Sequence, residues 1–155
     1  MIFSFIGMAV VVLIAFRSVV PAGAVVLAAF ADIVITAGGV MQIIGIPLSL
    51  GTTAALLMLI GYSVDSDILL TTRLLKRKGK LEEKLFGAFR TGIIMTTTTL
   101  AAIAAMWVVA TAGHIQIISE IASVLLIGLF VDIMNTWMLN AGILKEYILR
   151  GGNKR

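Results

Sequence analysis

Long apolar runs separated by short polar breaks set the plan of this 155-residue chain. The first run covers residues 1–16 and stops at Arg17-Ser18; the second opens near Pro21, which suits the first turn of a helix. Gly45, Pro47 and Gly51 interrupt the pattern before a third run, and Gly113-His114 separates a fourth from a fifth. A helix needs roughly 20 apolar residues to cross the hydrocarbon core of a bilayer. The pattern therefore predicts an all-α polytopic membrane helical bundle, a single transmembrane domain of five transmembrane helices at about residues 1–16, 21–45, 50–72, 91–112 and 117–140. The first is slightly short. Residues 73–90 are expected to form a basic loop, and within it Leu81, Leu85, Phe86 and Phe89 recur against Glu82, Glu83 and Lys84 as in a short interfacial amphipathic helix. Residues 141–155 are expected to form a tail, and no internal repeat or low-complexity segment stands out.

Composition sharpens this picture. Hydrophobic residues make up 60% and charged residues 13%, where soluble domains carry about 25% charged. There are no cysteines, which excludes disulfides and thiol chemistry. The net charge of +4 does not point to nucleic acid, because all twelve basic residues fall at Arg17, in the run from Arg73 to Arg90, or in the tail from Lys145 to Arg155. The other two connections have none. Such asymmetry is the positive-inside signal and predicts a multi-pass protein of the cell membrane with its N-terminus outside and its C-terminus in the cytoplasm. The lipid bilayer is thus one expected partner, with anionic lipid or a cytoplasmic partner as a sharper role for the basic loop. No positive charge precedes the first run, so it does not resemble a signal peptide.

Charge inside the apolar runs is the candidate chemistry. Asp65 lies eight residues before Arg73, about 12 Å along a helix, which places it near mid-membrane. Asp32 stands roughly 16 Å from Pro21 and Asp132 roughly 20 Å from Lys145, so with Asp67 four carboxylates are expected at one depth. A carboxylate deprived of water must take a proton, a cation or a set of donors, and a mid-membrane acid is a natural proton-exchanging group. Asp65 and Asp67 are about 200° apart around a helix and must face different neighbours. Ser63, Asp67 and Thr71 form one stripe and Gly61, Asp65 and Thr72 another, while Asp132, Asn135, Thr136 and Asn140 make a third. Arg90 is the basic side chain placed to reach inward, with Thr97 two turns along on its face.

The candidate proton pathway is accordingly Asp65, Asp67, Asp32, Arg90 and Asp132, with Ser63, Thr97 and Asn135 as supporting polar groups. Each has a plainer alternative: Thr96 to Thr99 bond their own backbone, Arg90 snorkels to the headgroups, and single buried acids hold helices together. Asp65-Ser66-Asp67 lacks the further loop ligands of a metal site and His114 stands alone, so no metal or cofactor is expected. Nor does the sequence carry a phosphate loop or a nucleophile constellation, and an enzyme is not expected.

The segment Gly61-Tyr62-Ser63-Val64-Asp65-Ser66-Asp67, together with Ala31-Asp32-Ile33-Val34-Ile35-Thr36, Arg90-Thr91, Thr96 to Thr99 and Asn135-Thr136-Trp137, resembles the SecF family in its archaeal form. The match runs in order along the whole chain. The resemblance implies five helices of the six-span fold shared with resistance-nodulation-division transporters, and a role in proton-gradient-assisted protein export. It also implies partners: SecD, the Sec translocon channel and the translocating polypeptide. Within it, Asp65 and Arg90 carry the proton pathway with Asp32 in support, although bacterial members have Asn-Asp-Thr where this chain has Asp65-Ser66-Asp67. The family also has an earlier span and an extracytoplasmic domain that would precede Met1, so the chain is expected to be a fragment of that pattern. The alternatives are a proton-coupled exporter of small molecules or lipids from the same superfamily, and a non-transporting membrane scaffold.

Overall fold

A backbone in hydrocarbon has to satisfy its own polar groups, and for a chain this apolar that leaves helices. A computed structural model describes residues 2–17, 19–76 and 80–150. Ser18 of the first break, Arg77, Lys78 and Gly79 of the basic loop, and residues 151–155 of the tail lie outside the described residues. Among the described residues the chain forms five helical rods: α1 (Ile2–Phe16), α2 (Val19–Ile44), α3 (Leu50–Lys76), α4 (Leu81–Ala112) and α5 (Gln116–Leu149). By length and composition α2 to α5 can each cross a membrane, while α1 is a shorter apolar helix.

Helix ends follow local chemistry. Gly45 adopts φ 77° after α2, a conformation glycine takes without penalty, and Pro47 then prevents any continuation. At the start of α3, Ser49 and Thr52 exchange bonds: Thr52 N–H donates to Ser49 Oγ at 3.2 Å and Ser49 N–H to Thr52 Oγ1 at 2.7 Å. This is a capping box with threonine in the place of the usual Glu or Gln.

Two sequence expectations are corrected. The interfacial helix expected within residues 73–90 and the fourth span expected at 91–112 are one continuous rod, α4. Nothing between Lys80 and Thr91 stops a helix except Gly87, which costs about 1 kcal/mol and is tolerated. Likewise, residues 141–149, expected as tail, continue α5, because Gly142 alone does not end it. Arg73 and Lys84 tie α3 to α4: Arg73 Nη1 donates to Gly87 O at 2.9 Å and Lys84 Nζ to Leu74 O at 3.3 Å.

Helix α3 is central, packing on α2, α4 and α5, and α1 rests mainly on α2. Its two halves bury separate apolar layers. Leu56 and Leu59 pack with Met41, Ile103, Leu125 and Leu129, whereas Leu70 and Leu74 pack with Ala88, Ala141 and Leu144. Ser63 and Asp67 fall between these layers on α3, as do Asp132, Asn135 and Thr136 on α5. A polar stratum is thus closed by hydrocarbon above and below. The outward faces carry large apolar side chains such as Leu27, Ile94, Val109, Phe130 and Met138, as lipid contact requires.

Close helix approach depends on two glycines. A Cβ at Gly128 would stand 2.5 Å from Leu59 Cδ2, and one at Gly92 would stand 2.8 Å from Trp137 Cζ2. Trp137 is itself pinned edge-on against Phe89, with ring centroids 4.8 Å apart. Gly92→Ala and Gly128→Ala are each expected to destabilise the bundle by about 1–3 kcal/mol, the usual cost of overpacking. Thermal unfolding in detergent tests this, and an unchanged midpoint for both variants would remove close packing at these positions from the description.

Candidate functional site

Three helices bring three carboxylates into the polar stratum: Asp32 from α2, Asp67 from α3 and Asp132 from α5, each no more than 1% exposed. Ser63 Oγ donates to Asp32 Oδ2, and Asn135 Nδ2 donates to Asp32 Oδ1 at 3.0 Å and to Ala28 O at 2.7 Å. Asp67 Oδ1 receives Asn140 Nδ2 at 2.6 Å and Thr136 Oγ1 at 3.0 Å. The same Thr136 oxygen lies 3.3 Å from Asp132 Oδ1. Every donor is neutral. Among the described residues no lysine, arginine or histidine reaches these acids, and the ion pair found there joins Arg150 to Glu146 at the end of α5.

The cluster also contains oxygens without a hydrogen-bond partner: Asp67 Oδ2, Asp132 Oδ2, Asn140 Oδ1 and the hydroxyls of Thr36 and Thr71. Three are acceptors only, the two carboxyl oxygens and the amide oxygen, while the two hydroxyls each keep an unused hydrogen. Among the described residues no three of His, Cys, Asp and Glu are grouped to hold a metal ion.

Sequence reasoning missed a short repeat that builds this site. Asp32-Ile33-Val34-Ile35-Thr36, Asp67-Ile68-Leu69-Leu70-Thr71 and Asp132-Ile133-Met134-Asn135-Thr136 share the pattern Asp-Ile-x-x-Thr, once on each contributing helix. The spacing of four puts acid and hydroxyl on one face, and all six side chains are buried. In α2 and α5 the likeness extends to the backbone. Met41 N–H bonds Thr36 O and Ala141 N–H bonds Thr136 O, five residues back, within π-helical turns at Val34–Val40 and Thr136–Asn140. One spacing therefore separates Asp32 from Asp132, Thr36 from Thr136 and Met41 from Ala141. Wide turns of this kind are frequent at functional sites. The signal was present in the sequence, but a five-residue pattern with two free positions is easily passed over.

The structure separates Asp65, Arg90 and Thr97 from this cluster, so the five residues of the candidate pathway do not form one contact network. Asp65 is exposed on the opposite side of α3, beside a cavity of about 150 Å³ lined by Tyr62, Ser66, Met95, Thr96 and Thr99. The reason is the angle between positions two apart on a helix: with Asp67 turned inward, Asp65 turns out. Arg90 and Thr97 are likewise exposed, and Arg90 pairs with neither Asp65 nor the buried acids. The threonine run follows its plainer alternative in part, since Thr96 donates to Gly92 O at 2.9 Å and Thr99 to Met95 O at 3.1 Å. Ser63 and Asn135 both bond Asp32, and Thr136 and Asn140 both bond Asp67.

Comparison with known proteins places this arrangement. Residues 1–150 match the family model for the protein export membrane protein SecD/SecF, C-terminal. The chain is 64% identical over 152 residues to a protein-export membrane protein SecF of Methanolacinia petrolearia, covering 98% of this chain and 54% of that one. It is 54% identical over 154 residues to the SecF of Pyrococcus furiosus, covering 99% and 51%, and 51% identical over 149 residues to that of Methanothermobacter thermautotrophicus, covering 94% and 52%. The chain spans about half the length of the curated relatives it matches. No solved structure matches it significantly. With a match over nearly its whole length and a polytopic helical bundle to go with it, the chain belongs to the SecD/SecF C-terminal family of protein export membrane proteins.

Proposed function

We propose that this chain is the membrane-spanning portion of a SecF subunit of archaeal type, which assists protein export across the cell membrane by coupling to the proton gradient. The observation that carries this is the buried cluster of Asp32, Asp67 and Asp132 with no cation among its partners. Three bare carboxylates in such a place would each incur a desolvation penalty of several kcal/mol with no opposite charge to offset it. Protons are the cheapest remedy, and a site that must hold protons also releases them when helix packing changes.

The coupling follows from who grips Asp67. Thr136 and Asn140 of α5 both hold Oδ1, so the ionised carboxylate draws the end of α5 onto α3. Protonation removes the charge that strengthens both bonds and biases the bundle towards a second packing. The grip is made just where α5 is wound as a π turn, the part of the helix whose register is most readily changed.

SecD, the Sec channel and the translocating polypeptide are the partners in this proposal. The exposed Asp65, half a turn from the buried acid, supports a partner: an acid directed outward from a membrane helix calls for a covering surface with donors or a positive charge. The inner ends of α3 and α4, tied by Arg73 and Lys84, support a cytoplasmic location for the basic hairpin and for the C-terminus.

Two measurements test the proposal on the full-length subunit in its complex. Asp67→Asn keeps the shape and the acceptor for Asn140, and is expected to leave the unfolding midpoint nearly unchanged while lowering gradient-stimulated export at least about tenfold. Undiminished stimulation in both Asp67→Asn and Asp132→Asn would refute coupling through the cluster; unfolding of both would favour a scaffold. Asp65→Arg is expected to abolish co-purification of SecD with helical content preserved, and full co-purification would place the partner elsewhere.

A further inference from the structure

We infer that the Thr136 hydroxyl is the proton relay between Asp132 and Asp67, an inference that rests on the proton-coupling reading above. A threonine hydroxyl has one hydrogen to donate and two lone pairs to accept with. Thr136 Oγ1 lies 3.0 Å from Asp67 Oδ1 and 3.3 Å from Asp132 Oδ1, so it serves two carboxyl oxygens with one hydrogen. Both contacts are full two-centre hydrogen bonds only when one of the acids is protonated and donates to Thr136.

Two arrangements satisfy that condition, and a proton transfer connects them. In the first, Asp132 Oδ1–H donates to Thr136 Oγ1 while Thr136 O–H donates to the Asp67 carboxylate. Transfer breaks the Asp132 O–H bond and forms a new one at Thr136, as the original Thr136 hydrogen passes to Asp67 Oδ1. Asp132 is left as carboxylate, Asp67 as carboxylic acid, and threonine is regenerated. Nothing else is consumed.

Three observations set Thr136 apart from other threonines of the bundle. Thr96, Thr99 and Thr111 spend their hydroxyls on backbone carbonyls four residues back, the habit of threonine in a membrane helix. Thr36 and Thr71 hold the same place relative to their own acids, yet their hydroxyls have no partner. Thr136 alone among the three spans two helices. Its position is also held firmly: the residue is 1% exposed, and its carbonyl is engaged by Ala141 N–H in the π turn. Asn140, one turn further on, fixes the same Asp67 oxygen that Thr136 contacts.

The test uses the full-length subunit in its complete complex, reconstituted so that export with and without a proton gradient is measured. Thr136→Val removes the hydroxyl at nearly constant volume and is expected to reduce gradient-stimulated export at least about tenfold, whereas Thr136→Ser is expected to stay within about threefold of the parent. A packing role for the methyl group would not be rescued by serine, and a merely structural hydroxyl would lower the unfolding midpoint of Thr136→Val together with its export, whereas the bridge predicts lost stimulation at a nearly unchanged midpoint. Equal losses in valine and serine variants therefore overturn the bridge. Asp67→Asn is run beside them: loss there with full stimulation in Thr136→Val overturns the bridge and leaves coupling intact, while full stimulation in both overturns coupling itself. If the valine variant fails to fold, Thr136→Ala serves as the hydroxyl-free variant, and parental stimulation in it likewise overturns the bridge.

Discussion

Everything in this bundle answers to the cost of keeping three carboxyl groups away from water without an opposite charge. Asp32, Asp67 and Asp132 come from three separate helices, so the groups that lower that cost must also come from across helix boundaries. Ser63 crosses from α3 to Asp32 on α2, Asn135 crosses from α5 to the same acid, and Thr136 and Asn140 cross from α5 to Asp67. The polar stratum is thus what joins α2, α3 and α5. Apolar contact alone distinguishes helix neighbours poorly in lipid, where every surface is equally oily.

The apolar layers on either side then have a definite task. Leu59 and Leu129 on one side and Leu70, Leu74 and Leu144 on the other exclude water from the stratum, which keeps the hydrogen bonds there strong and leaves unpaired oxygens costly. Glycine at positions 92 and 128 lets Trp137 and Leu59 come close enough to complete the seal. Fold and site are in this sense one object: loosening the seal admits water to the acids, and changing their protonation alters what holds the helices together.

Much of this was legible in the sequence. Apolar run length marked out the helices, because hydrocarbon leaves few other choices. The stripe of Asp132, Asn135, Thr136 and Asn140 was visible from helical spacing and is the one that grips Asp67. What spacing did not decide was which of Asp65 and Asp67 turns inward, since both rotations put a small polar face against a neighbour. Depth along a helix says nothing of direction around it, and Asp65 shows the difference. The π turns were equally hidden, because a one-residue change of register leaves no mark on an apolar pattern. The boundaries expected near residues 90 and 140 vanish because α4 and α5 run on through Gly87 and Gly142.

The account comes down to whether the buried acids hold protons as a set. Infrared difference spectroscopy of the complete complex in liposomes, recorded across a pH step, reads protonated carboxyl groups directly. The account predicts a carboxyl signal that shrinks when Asp67 or Asp132 is replaced by asparagine, and shifts in the remaining acid because the two share Thr136. A spectrum in which neither replacement changes the carboxyl signal would contradict it.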